Sequence, residues 1–375
     1  MPKDVDSFCQ QVLKDRLNPN GHDAPHVFLD MFHLLAVAGF VSPFDHVNRF
    51  QSPILLAQWF LACGGMAFAQ CCGHGLWCPV PWPDIDVTGT PCQDWSGLGL
   101  KARGWGPQMK VFLMWCAIIL AKAVPIVVHE NVPQFPVSLL EAYLGQAYHV
   151  FSFVGDCADM GFGHISRKRR YTVMYHKLKT CIMCSPVDLY SHVVRAMAGK
   201  ASTGWSIADC FLADAAEVCE EIMPLCQKKH IHPDLAMANM QLLLSTSEAR
   251  HLIMYMTRWM DRFGIDARSC PTAVFNLSDN PDHGYLTWSA ASGRIPGLRT
   301  QGSKLWAPGL GRWLTTMELL AAMGVPVYPS LAMCAGLPLV QVSPGPRARH
   351  MLGNMMHIAS VGAAMCVAMA SVRLL

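Results

Sequence analysis

Charge is scarce in this chain: Asp, Glu, Lys and Arg make up 15% of its 375 residues against 52% hydrophobic ones, and the net balance is +3 with histidine neutral. So little charge and so much apolar content exclude a disordered chain, and the length allows one substantial core or two modest ones. A balance of +3 does not by itself declare nucleic-acid binding. Only the run Arg167, Lys168, Arg169 and Arg170 gathers positive charge locally.

Uninterrupted apolar runs of membrane-spanning length are lacking as well. The stretch 111–128 is broken by Lys122 and Pro125, and 351–372 is rich in Ala, Gly and Met with His357 inside. Both are expected in a protein core, and no membrane partner is expected. Residues 1–20 are polar and carry Asp4, Asp6, Lys14, Asp15 and Arg16, so an exported chain is not expected. The 16 cysteines lack framework spacing and lie among apolar residues, which fits a reducing compartment. Cys71, Cys72, His74 and Cys78 have ligand-type side chains and Cys181 and Cys184 form a CxxC, but no second properly spaced pair accompanies either group. No metal is expected on that ground. Internal repeats and low-complexity tracts are absent too.

What is present begins with Asp84-Ile-Asp-Val-Thr-Gly-Thr-Pro-Cys92, where a β-branched stretch passes into Gly, Thr and Pro. That pattern reads as a strand ending in a loop, with Cys92 at the strand's carboxyl end. Residues 111–123 read as a buried helix, and Pro125-Ile-Val-Val-His runs as a second strand into Glu130-Asn131-Val132-Pro133. Strand, helix, strand implies a βαβ unit and a parallel sheet, in which reacting groups gather beyond the carboxyl ends of the strands. From 175 to 263 the pattern is helical, and a Met and aromatic stripe over 251–263 reads as core packing. A Gly, Pro, Ser and Asp-rich segment over 276–308 then leads to a helix over 313–323 with Thr315 or Thr316 as its N-cap.

Gly89-Thr-Pro-Cys-Gln-Asp-Trp-Ser96, then Glu130-Asn-Val132 thirty-eight residues beyond the cysteine, then Arg167-Lys-Arg169, stand in the order and spacing of three motifs of DNA (cytosine-5) methyltransferases. Gly311-Arg-Trp-Leu-Thr-Thr316 with Glu318 and Gly324-Val-Pro326 is similar to that family's late helix motif, and Gly353-Asn354 to its final one. The resemblance covers roughly residues 84–175 and 290–370. It implies an α/β, Rossmann-like fold of the S-adenosylmethionine-dependent methyltransferases, interrupted by a mainly helical target-recognition region. The corresponding segments are a catalytic domain over 1–175, an insertion over 176–290 and a return to the catalytic domain over 291–375.

The same resemblance implies an activity: methyl transfer from S-adenosylmethionine to carbon 5 of cytosine in DNA, in the nucleus. Carbon 5 is not nucleophilic until a thiolate adds to carbon 6, and Cys92 would supply it. Glu130 would hydrogen-bond the N3 and amino edge of the base, offsetting charge on the ring. Arg169, assisted by Arg167, would hold the base or its flanking backbone through guanidinium hydrogen bonds. Pro91, Gly353 and Asn354 would contribute to the cofactor site. A target inside a duplex must be extruded before a thiolate can reach it.

Three alternatives remain open. Leu29-Asp-Met-Phe32 resembles the family's first strand, but His33-Leu-Leu-Ala-Val37 stands where a glycine turn belongs. Ala62-Cys-Gly-Gly-Met66 has the glycines but lies only about thirty residues before Cys92. A catalytically inactive or truncated DNA-binding homologue is therefore the second reading. RNA is a possible polymer in either case, because these residues act on the base and not on the sugar. Glu130 and Arg169 also fit a purely structural ion pair.

Overall fold

The computed structural model describes residues 54–55, 57–58, 68–71, 74–92, 95, 109–201, 206–284, 286–299, 303–342 and 346–375. The expected first strand at 29–32 and both candidate glycine segments, 33–37 and 62–66, lie outside the described residues.

Two compact units account for the described chain. The first draws on 1–155, 168–192 and 363–375, and the second on 156–167 and 193–362. These units divide the chain elsewhere than the three segments read from sequence. One reason is local pairing within the second unit: β9 (Leu305–Ala307) hydrogen-bonds β8 (Phe275–Asn276) on one side and β10 (Arg312–Trp313) on the other. Residues on both sides of the expected boundary at 290 therefore share one small sheet.

In the first unit, a short hairpin joins β1 (Phe68–Cys71) to β2 (Leu76–Pro79), and a mixed sheet follows in the order β3, β4, β6, β5. Its strands are β3 (Ile85–Gly89), β4 (Ile126–Asn131), β5 (Tyr148–Gly155) and β6 (Arg169–His176). β3 and β4 run parallel, joined through helix α1 (Met109–Lys122), which is the expected βαβ unit of a Rossmann-like α/β arrangement. β6 pairs antiparallel with both β4 and β5. Every residue of β4 is buried, as a strand covered on both faces requires, and α1 is apolar around most of its circumference. Phe112, Trp115 and Ile119 of α1 pack with Val127, Phe135, Leu140 and Met174. Helix α2 (Val137–Leu144) closes that core, and Tyr148 Oη donates to the Ile119 and Val124 carbonyls at 3.2 and 2.9 Å. At the far end, β7 (Thr180–Ile182) pairs with β11 (Val372–Leu374), so only the last residues of the chain return to this unit.

The second unit carries most of the helices: part of α3 (Pro186–Ala201), then α4 (Ala215–Lys229), α5 (Pro233–Ala238) and α6 (Thr246–Phe263). α6 begins in a capping box in which Ser245 accepts from the Glu248 amide and Glu248 from the Ser245 amide. Its Leu252, Tyr255 and Trp259 enter a core with Phe275, Trp288 and Trp306, while Ile253, Met260 and Phe263 face outward. Helix α7 (Thr316–Ala322) is N-capped by Thr315, and the fully buried Glu318 both closes the box and takes two bonds from Arg312, at 2.8 and 2.7 Å. The helix begins later than 313 because Arg312 and Trp313 belong to β10.

Helices α8 (Pro329–Ala335), α9 (Pro346–Asn354) and α10 (Ile358–Ala370) complete the fold. Among the described residues one apolar stretch, Leu352–Ala370, is long enough to cross a membrane by length and composition. Residues 355–357 interrupt its helix, and His357 within it is buried.

Candidate active site

The parallel register of β3 and β4 places Gly89 opposite Glu130. Cys92, three residues beyond Gly89, and Glu130 therefore leave the same carboxyl edge of the sheet, where an open α/β sheet presents its reacting groups.

Polar contacts hold the chain between Gly89 and Cys92. Asn131 Nδ2 donates to both the backbone carbonyl and the hydroxyl of Thr90, each at 3.1 Å, and Asn131 Oδ1 accepts from the Val132 amide. The Thr90 hydroxyl also lies 2.7 Å from His129 Nε2. Beyond Pro91, the Trp95 amide donates to the Cys92 carbonyl at 3.0 Å, and the Trp95 ring meets Phe135 edge-on. Cys92 is half-buried against the aromatic core of this unit. Gln93, Asp94 and Ser96 of the expected motif lie outside the described residues.

His129 stacks on Trp115 with ring centroids 4.9 Å apart, and its complete burial lowers its pKa to about 3. It is therefore a neutral hydrogen-bonding spacer beneath the loop. In the middle of β3, Asp86 accepts from Thr88 Oγ1 at 2.6 Å and from Trp115 Nε1 at 3.2 Å. Burial raises the Asp86 carboxyl above its ordinary range, against the lowering effect of those two bonds.

Glu130 is buried, and its Oε1 lies 2.8 Å from Arg169 Nε, with Arg169 at the first position of β6. Arg169 NH1 additionally donates to the Lys168 carbonyl. Arg170 follows in the same basic run. It bonds the Pro133 carbonyl through two of its nitrogens, at 3.0 and 2.7 Å, and Ser152 Oγ at 3.2 Å, bracing the loop that follows Glu130.

Of the remaining expected site residues, Pro91 belongs to the first unit and Arg167, Gly353 and Asn354 to the second. Arg167 is buried, and its guanidinium donates to the backbone carbonyls of Gly353 and Met355. These bonds tie Arg167 to the carboxyl end of α9. Gly353 thus directs its carbonyl to Arg167, while Asn354 ends α9 with its side chain exposed.

Sequence reasoning singled out Cys92, Glu130 and Arg169, but it did not assign functions to Thr90, His129, Asp86 or Arg170. The signal for Asn131 was visible in the Glu-Asn-Val triplet. That for Thr90 was not, because a threonine before proline in a strand-end loop is ordinary turn chemistry.

A cofactor bound by a glycine turn needs an open approach to the backbone. A Cβ on Gly145 would strike the Glu141 carbonyl and one on Gly155 the Tyr190 hydroxyl; Gly75 sits in the turn between β1 and β2, and Gly89 ends β3. Gly145 and Gly155 leave no such opening. Both segments that the sequence offers for a methyl-donor turn, 33–37 and 62–66, lie outside the described residues.

No protein-family model matches the chain, and no curated protein matches it. Among solved structures it is similar to the Entamoeba histolytica methyltransferase EhMeth, at 12% identity over 84% of this chain and 80% of that one, with a TM-score of 0.42. It is also similar to the Dnmt2 methyltransferase of S. pombe, at 12% identity over 83% and 79%, with a TM-score of 0.42. A mutant of Spodoptera frugiperda DNMT2 matches at 15% identity over 76% and 79%, with a TM-score of 0.33.

Proposed function

We infer that the corner formed by Cys92, Glu130 and Arg169 takes a cytosine of DNA and adds the Cys92 sulfur to carbon 6 of the base. The observation that carries this reading is the placement of Cys92 and Glu130 at the carboxyl ends of adjacent parallel strands, with Glu130 oriented by Arg169.

The addition forms a sulfur–carbon 6 bond while the thiol proton passes to solvent. The displaced π electrons move toward N3, which takes up a proton from solvent, and the Glu130 carboxylate accepts from the resulting N3–H and from the exocyclic amino group. Thymine presents the opposite pattern at that edge, so the same carboxyl discriminates between the bases. Arg169 acts as a positioning residue, restricting the orientation of the Glu130 carboxyl through the 2.8 Å contact. Extruding the target from a duplex costs roughly a few kcal/mol and leaves the base accessible to the sulfur.

Methyl transfer from S-adenosylmethionine to carbon 5, in a nuclear DNA (cytosine-5) methyltransferase, is the full function implied by the motif resemblance. A second reading, a homologue that binds DNA or RNA without methyl transfer, is favoured by the sequence His33-Leu-Leu-Ala-Val37, which stands where a glycine turn belongs. Both are tested by incubating the full chain with methyl-labelled S-adenosylmethionine and cytosine-containing DNA or RNA, beside Cys92→Ser. An enzyme loses label transfer in the variant while keeping its nucleic-acid affinity. A binding homologue transfers no label in either form, and transfer that survives Cys92→Ser excludes the proposed nucleophile.

A further inference from the structure

The hairpin of β1 and β2 lies outside the Cys92 corner and presents a different chemistry. Antiparallel pairing sets Cys71 opposite Leu76 and Ala69 opposite Cys78, so the two cysteines are diagonal neighbours on one face of the hairpin. The turn between the strands contains His74 and Gly75, the latter with φ +69°, and the Gly75 amide donates to the Cys71 carbonyl at 2.8 Å. This turn brings His74 Nδ1 to 3.4 Å from Cys71 Sγ and 3.5 Å from Cys78 Sγ. All three ligand atoms lie within 4.8 Å of one another.

The geometry points to a zinc site formed by Cys71, His74 and Cys78. Tetrahedral zinc with sulfur at about 2.3 Å and nitrogen at about 2.0–2.1 Å separates sulfur from nitrogen by about 3.5 Å. Both observed separations match that value. A ring nitrogen offers one in-plane donor or acceptor position, which cannot serve two sulfurs equally by hydrogen bonding. A cation between them serves all three. Two sulfurs and an imidazole favour zinc over magnesium or calcium, which take oxygen ligands. Coordination releases the two thiol protons to solvent and leaves the fourth tetrahedral position to water or another donor. The sequence had directed attention away from this group because it lacks the second pair of a zinc finger; the hairpin supplies three ligands locally.

The test is metal analysis of the purified full chain after zinc loading and removal of unbound ion, with folding followed by circular dichroism. One zinc per chain is expected, and His74→Ala, at an exposed position, should weaken zinc binding by about tenfold or more. Cys78→Ser should do the same, whereas Cys184→Ser, in the separate CxxC, should retain the metal. Cobalt loading provides a second readout: the unmodified chain should show sulfur-to-cobalt charge-transfer absorption that diminishes in Cys78→Ser and changes in His74→Cys. A folded chain that holds no zinc, or one in which His74→Ala binds zinc as tightly as the unmodified chain, overturns the proposal.

Discussion

Arg169 Nε stands 2.8 Å from Glu130 Oε1, joining the first residue of β6 to the carboxyl end of β4. Glu130 is largely removed from water, so this guanidinium compensates a carboxylate that would otherwise be poorly solvated.

Removing that compensation should be visible as stability. Arg169→Met is expected to lower the unfolding free energy at pH 7 by about 1–3 kcal/mol, because the buried carboxylate keeps its desolvation cost without its partner. Denaturant midpoints measure the effect. Adding Glu130→Gln to Arg169→Met should restore part of the loss; strictly additive losses would show that the two residues are not energetically coupled.

The loop carrying Cys92 depends on Asn131. Asn131→Ala removes its two contacts to Thr90 and the acceptor for the Val132 amide, and should cost about 1–3 kcal/mol. Alkylation of Cys92, followed by peptide mass spectrometry, should be faster in this variant than in the unmodified chain. Equal rates would mean that Asn131 does not restrain the loop.

The outline of the βαβ unit was legible in the sequence because each element had its own period or composition. The apolar run of α1, the β-branched run of β4 and the Gly-Thr-Pro stop after β3 all act locally. The two antiparallel strands were harder to see. The basic run 167–170 drew attention to charge, although Tyr171-Thr-Val-Met-Tyr175 immediately after it has β-forming composition. Arg167 illustrates a further limit: its two carbonyl partners lie more than 180 residues away in sequence, and no local pattern reports them. The N-cap of α7 was legible as Thr315 or Thr316, and the box that Thr315 closes with Glu318 decides between them.

Acid should destabilise the fold through its buried histidines. Burial lowers His129 to about 3 and His357 to about 4, while a histidine in the unfolded chain titrates near 6.5. The folded values are depressed, so their contribution is complete above about pH 6.5 and is lost as pH falls toward 4 and then 3. Denaturant midpoints should fall between pH 6.5 and 4, and His129→Asn should show a shallower fall. An unchanged pH dependence in that variant would remove His129 from this account.

Exchange of the hydrogen on carbon 5 of cytosine tests the central claim most directly, because it needs Cys92 addition but no methyl donor. Addition at carbon 6 makes carbon 5 an enamine carbon that takes a proton from water; loss of the original hydrogen and expulsion of the sulfur restore the base. With DNA tritiated at that carbon, the unmodified chain should release tritium, and Cys92→Ser should reduce release by about 10²-fold or more. DNA bound by a folded chain without release, or release at the same rate from Cys92→Ser, would contradict the assignment of Cys92 as nucleophile.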